Sequence, residues 1–217
     1  MNENVKILFI NYLDELFPNA KAELNFSNNF ELLIAVVLSA QTTDVSVNKV
    51  TPKLFKKYPT PFDLSKADVN DVETIINSIG LYRNKSKNII ELSKILVEKY
   101  NGEIPNRREA LESLPGVGRK TANVVLSNAF DVPAFAVDTH VERISKRLGI
   151  ALENDSVLTV EEKLMALFPR QLWKKLHHQL IFFGRYHCTS KKPKCEICKM
   201  KDFCPFFQAL NEKKMLD

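Results

Sequence analysis

Apolar residues recur three and four positions apart along almost the whole of this chain, and that period constrains its fold more than any other feature. Leu8, Tyr12 and Leu16 share one face near the start, Ile89, Leu92, Leu96 and Tyr100 another, and Leu164, Leu167 and Phe168 a third. An α-helix returns to the same face every ~3.6 residues, so this spacing gives each helix an apolar stripe. No stretch alternates over the length of a strand, and the chain is expected to be all-α. Asn28 with Glu31, Asn106 with Glu109 and Thr159 with Glu162 have the spacing of capped helix starts. The first opens a buried helix running to about Ser39, and Asn101-Gly102 closes the helix that carries Ile89. Pro52 interrupts a helical segment, which it either kinks or starts.

Length and composition exclude several classes. With 217 residues and 45% apolar side chains the chain can bury a core without staples. Met1–Lys6 carries Glu3 and lacks an apolar run behind it, so no secretory leader is expected. The longest apolar run, Leu32–Leu38, falls far short of the roughly 20 residues a membrane span needs. A cytoplasmic protein with reduced cysteines is the expectation. The net charge of +5 is modest, but it is unevenly placed. Arg185, Lys191, Lys192, Lys194, Lys199 and Lys201 lie together against Glu196 alone, a local surplus as large as that of the whole chain. Such a basic stretch suits an anionic partner such as nucleic acid.

The same stretch holds all four cysteines, Cys188, Cys195, Cys198 and Cys204, spaced C-x6-C-x2-C-x5-C. Four thiolates in one short loop can wrap a single metal centre, and soft sulfur ligands select zinc or an iron–sulfur cluster. Structural zinc usually shows two short cysteine pairs, and here only Cys195 and Cys198 form one. Spacing alone leaves both metals open. His187, beside Cys188, reads as a surface residue or one that supports a ligand.

The second chemical feature is Leu114-Pro115-Gly116-Val117-Gly118-Arg119-Lys120-Thr121-Ala122, between a helix starting at Asn106 and one running to about Phe130. Gly116 and Gly118 permit a tight turn that exposes backbone amides, and amides at a helix start bind an anion such as a DNA phosphate. Lys120 falls in the first turn of the second helix, next to Arg119. The positive helix end and the neighbouring cation both disfavour an ammonium there, which favours the neutral amine of a nucleophile. A lysine that merely contacts phosphate is the plainer reading. Asp138, eighteen residues on, stands where a further helix should begin. Capping and catalysis are compatible there, because a cap holds its carboxylate rigidly. His140 reads as a pocket residue or a core histidine.

Taken together, Leu38–Asp44 (LSAQTTD), Ile79–Tyr82 (IGLY), Leu114–Asn123 (LPGVGRKTAN), Ala136–Arg143 (AVDTHVER) and the cysteine loop resemble the endonuclease III family of helix-hairpin-helix DNA glycosylases. The resemblance implies a [4Fe-4S] cluster on Cys188, Cys195, Cys198 and Cys204. It implies two helical lobes with a DNA cleft between them, one near 22–132 with the hairpin, the other joining 1–21 to 133–217 with the cluster loop. Lys120 matches the family's nucleophile and Asp138 its carboxylate. Gln41 matches the glutamine that fills the gap left by an extruded nucleotide, and Leu81 the apolar wedge. Gly116, Gly118, His140 and Lys191 are the remaining DNA-contact candidates.

The implied function is removal of oxidised or ring-saturated pyrimidines from duplex DNA, with strand cleavage at the abasic site by β-elimination. A monomer acting on double-stranded DNA that carries damaged pyrimidines or abasic sites is expected. A related adenine glycosylase is the nearest rival, but that branch lacks a lysine at the position of Lys120. A relative acting on oxidised purines lacks the cluster. A DNA-binding module with structural zinc gives no reason for Lys120 and Asp138 together.

Overall fold

The computed structural model describes residues 1–214, with side chains to Glu212. Among the described residues every regular element is helical, as the apolar period predicts. The chain divides into two compact units, Glu23–Ala134 and a discontinuous one made of Met1–Ala22 with Phe135–Asp217.

The continuous unit is built around α2 (Asn29–Leu38), in which every residue from Leu32 to Leu38 is buried. A helix apolar on all sides has to sit inside a domain. It is enclosed by α3 (Asp44–Lys57), α6 (Tyr82–Tyr100) and α8 (Arg119–Ala129), with α4 (Pro61–Leu64), α5 (Val69–Ile76) and α7 (Arg108–Glu112) completing the shell. Asn28 caps α2 as expected, its side chain accepting from the Glu31 amide at 2.9 Å. Glu31 does not return the bond to Asn28; it accepts from the amide and hydroxyl of Ser27, at 2.7 and 2.6 Å. The helix after Asn106 starts later than expected, at Arg108, with no side-chain cap. Pro52 lies inside α3 and is exposed. Helix α6 ends as predicted: Asn101 is left-handed at φ 51°, and the Gly102 amide bonds back to the Leu96 carbonyl at 2.9 Å.

The discontinuous unit holds α1 (Glu3–Leu16), α9 (Thr139–Arg147), α10 (Val157–Leu167), α11 (Trp173–Phe182) and α12 (Pro205–Lys214). The buried stripe of α1 is Val5, Phe9, Tyr12 and Leu13, one position round from the expected Leu8 and Leu16, which are half-buried. Helix α10 starts at Val157, capped by Ser156, whose hydroxyl accepts from the Thr159 amide at 3.1 Å. Thr159 is thus inside the helix and does not cap it. Helix α11 widens into a single π-turn over Phe183–His187, and this turn delivers Cys188. Two short 3-10 turns, Cys195–Ile197 and Lys201–Phe203, fold the rest of the cysteine loop. Among the described residues no helix is long and apolar enough to cross a membrane.

Candidate functional site

The hairpin begins with α7, turns through Ser113–Gly118 and enters α8. Gly116 has φ +77°, where an L side chain is strained, and a β-carbon there would lie 3.1 Å from both Asn88 Nδ2 and Val37 Cγ1. Gly118 differs. It has ordinary backbone angles, and a β-carbon would meet nothing within 4 Å. It is the N-cap residue of α8 and offers no side chain to the helix start. The start of α8 is therefore open at Gly118, with Lys120 exposed in the first turn. An uncapped helix start presents amide donors and the positive end of the helix dipole, an environment suited to a phosphate.

Asp138 is the N-cap of α9, as expected. Its Oδ1 accepts from the amides of His140 and Val141, both at 2.9 Å. One carboxylate oxygen thus carries both capping bonds, which fixes the group while Oδ2 remains outside them. His140 is half-buried, and burial holds its imidazole below the usual histidine range, with Arg143 and Arg185 pushing the same way and Asp138 opposing. Its Nδ1 lies 3.3 Å from Arg143 Nη2, a contact in which neutral imidazole accepts.

Among the described residues four besides glycines have left-handed backbone: Gln41, Leu81, Asn101 and Asp131. Asn and Asp tolerate that region, whereas Gln and Leu are strained there by roughly 1–2 kcal/mol. Both strained residues are exposed at turn tips, Leu81 to 56%. The two turns abut, because a β-carbon on Gly80 would lie 4.0 Å from both the Gln41 carbonyl and Thr42 Oγ1. The sequence shows the residue types at these positions but not their strain.

The cysteines converge. Cys188, Cys195, Cys198 and Cys204 line one small cavity and none is in a disulfide. Burial pushes the Cys198 thiol up to about 11, opposed by the Met200 amide and reinforced by Cys188, Cys204 and Cys195. Burial likewise raises Cys195 and Cys204. Four converging sulfurs, Cys204 buried and the other three half-buried, suit a cationic centre, and an iron–sulfur cluster fits this donor set. Around them Arg147 donates to Cys188 Sγ at 3.4 Å and to the Thr189 and Ser190 carbonyls at 2.7 and 2.9 Å, while stacking on Phe206 at 4.1 Å. His187 is buried, not on the surface: its Nε2 lies 3.2 Å from the Tyr12 hydroxyl and its ring stacks on Phe183 at 4.9 Å. Lys191 is exposed on the loop.

These features are those of a helix-hairpin-helix repair protein with a cluster loop, and comparison with known proteins agrees. Residues 34–170 match the family model of the HhH-GPD superfamily base excision DNA repair proteins, and residues 188–204 match the iron–sulfur binding domain of endonuclease III. Endonuclease III of Bacillus subtilis is 53% identical over 94% of this chain and 93% of its own. Endonuclease III of Escherichia coli K12 is 49% identical over 95% of this chain and 97% of its own. A solved structure of a trapped endonuclease III–DNA covalent intermediate superposes with a TM-score of 0.92 at 52% identity, covering 97% of this chain and 100% of that one.

The chain belongs to the HhH-GPD superfamily and, within it, to the endonuclease III family. It is a base excision repair enzyme, a bifunctional DNA glycosylase and abasic-site lyase that carries a [4Fe-4S] cluster.

Proposed function

We propose that this enzyme removes oxidised or ring-saturated pyrimidines from double-stranded DNA as a cytoplasmic monomer, with Lys120 as nucleophile and Asp138 as the carboxylate that supports it. The single observation carrying the site assignment is the pair of opposite helix starts: a bare one bearing Lys120, and one closed by Asp138 with an oxygen to spare. The trapped covalent DNA complex of the 52% identical protein supports a covalent route.

The target nucleotide leaves the stack, at a cost of a few kcal/mol that is least for damaged pairs. Gln41 and Leu81, exposed and strained at their turn tips, are the candidates to occupy the vacancy. Lys120 Nζ attacks the sugar C1′, the C1′–N bond breaks and the base departs with its electron pair and a proton. Asp138 stabilises the positive charge that develops on the sugar. Ring opening gives a Schiff base on Lys120. Loss of a C2′ proton then breaks the C3′–O bond and expels the 3′ phosphate, and hydrolysis of the imine restores the amine. The amides of Gly116 and Gly118, with His140 and the exposed Lys191, hold the DNA.

Cys188, Cys195, Cys198 and Cys204 would hold the [4Fe-4S] cluster, which when bound supplies a covalent brace for the basic loop. β-Elimination transfers no electron to an external acceptor, so the chemistry at the sugar calls for no redox partner.

The substrate reading is tested with duplexes that each carry one defined lesion. Cleavage of a thymine glycol duplex well above one carrying 8-oxoguanine opposite cytosine is the expected result. The reverse order would overturn it.

A further inference from the structure

Lys85 is a buried cation with no carboxylate partner among the described residues. It lies in the first turns of α6, is only 4% exposed, and donates from Nζ to Thr42 Oγ1 at 2.7 Å. Burial lowers its affinity for a proton relative to an ordinary lysine. Removing an ammonium from water is costly unless acceptors surround it, and a single hydroxyl is poor compensation. Lys85 therefore does not serve to stabilise the fold; an apolar side chain of the same length would do that better.

What Lys85 touches explains its presence. The Thr42 hydroxyl is 3.4 Å from the Ala40 carbonyl, and the Thr42 amide donates to the Ser39 carbonyl at 3.1 Å. These bonds bracket Gln41, the residue between them, which is left-handed at φ 53°. At its own backbone, Lys85 donates its amide to the Leu81 carbonyl at 3.0 Å, and Leu81 is left-handed at φ 59°. One residue thus ties together the two strained turns, through its side chain on one and its backbone on the other.

We infer that Lys85 and Thr42 are positioning residues: their hydrogen bond holds the Gln41 turn against the Leu81 turn in the conformation needed to enter the DNA stack. The inference rests on the gap-filling role proposed above for Gln41. Stability and function should then separate, as they do where a site is held in a costly conformation.

The test measures single-turnover excision on a thymine glycol duplex together with the melting temperature, for Thr42→Val, Thr42→Ser, Lys85→Met and Gln41→Ala. Thr42→Val and Lys85→Met should each lower the maximal rate about tenfold, the loss of one such interaction. The duplex concentration for half-maximal rate should change less, by about twofold at most, and the melting temperature should hold or rise. Thr42→Ser, which keeps the hydroxyl, should retain the rate. On a Gln41→Ala background Thr42→Val should add little.

A wild-type rate in Gln41→Ala would overturn the gap-filling reading and this inference with it. A slowed Gln41→Ala beside a wild-type Thr42→Val would overturn this inference alone, as would a full further tenfold loss in the double variant. Melting temperatures that fell in step with the rates would reduce the pair to fold stability and also overturn it. Should Lys85→Met fail to fold, Thr42→Val against Thr42→Ser decides by the same criteria.

Discussion

Helices α8 and α9 begin in opposite ways. Helix α8 starts at a glycine with no side-chain cap and open space where a side chain would stand, and it carries an exposed lysine in its first turn. Helix α9 starts at an aspartate whose Oδ1 takes two amides of its own helix. The first helix end is open to an anion from outside; the second is already satisfied by an anion of the chain itself. One sequence thus uses helix-end electrostatics twice, once to receive a ligand and once to immobilise a reactive group. The contrast extends to the units that hold the two helices. All four histidines, His140, His177, His178 and His187, fall in the discontinuous unit with α9, and none in the unit with α8.

Charge removal without loss of the cap sharpens the comparison most. Asparagine caps a helix as well as aspartate does. Asp138→Asn should therefore leave the melting temperature nearly unchanged while lowering the excision rate by about 10²–10³-fold, the usual effect of losing a preorganised electrostatic partner. Asp138→Ala should lose the rate and also about 1 kcal/mol of stability from the missing cap. A melting temperature that fell equally in both variants would mean that the cap and the charge cannot be separated.

Acid should act on one unit before the other. Burial, helped by Lys174, pushes His178 down to about 4 from the usual 6.5. The folded state then binds fewer protons than the unfolded one between these values, so stability is present above the upper value and lost as pH falls toward the lower. A difference of that size is worth at most roughly 3 kcal/mol. The discontinuous unit should open first as pH drops from 6.5 to 4, read by hydrogen exchange. His178→Gln should flatten that dependence, and an unchanged profile would remove His178 as its cause.

The two glycines of the hairpin give the smallest and most discriminating pair. Gly116→Ala should destabilise the continuous unit by about 1–2 kcal/mol, because a positive φ and close contacts both resist a methyl group. Gly118→Ala should leave stability level or slightly raised and weaken binding to any duplex severalfold, since only an approaching phosphate would meet the new methyl. Duplex affinity unchanged by Gly118→Ala would close the open helix end as a binding site.

Much of this was readable from residue types. The period of three and four marks the helices, the four clustered cysteines point to a metal site without choosing its metal, and Asp138 sits at the start of a helix because its side chain reaches the second and third amides. Helix boundaries were less legible, since any Ser, Thr or Asn before a glutamate looks like a cap. Thr159, three residues before Glu162, has that spacing and Ser156 does not, yet Ser156 holds the position. Local sequence also cannot show what depends on packing: the strained Gln41 and Leu81, the buried Lys85, and the buried His177, His178 and His187. Lysine and histidine are usually exposed or half-exposed, so their burial appears only when distant segments close over them.

The central claim is that the open helix end carries the nucleophile, and borohydride trapping tests it most directly. Borohydride reduces an imine to a stable amine but leaves an ion pair untouched. Enzyme mixed with a lesion-bearing duplex and borohydride should yield a cross-linked species whose modified peptide maps to Lys120. Lys120→Gln should abolish trapping and lower strand cleavage by at least about 10³-fold, as removal of a nucleophile does, while still binding the damaged duplex. Normal trapping in Lys120→Gln, or a cross-link mapped to another amine, would contradict the account.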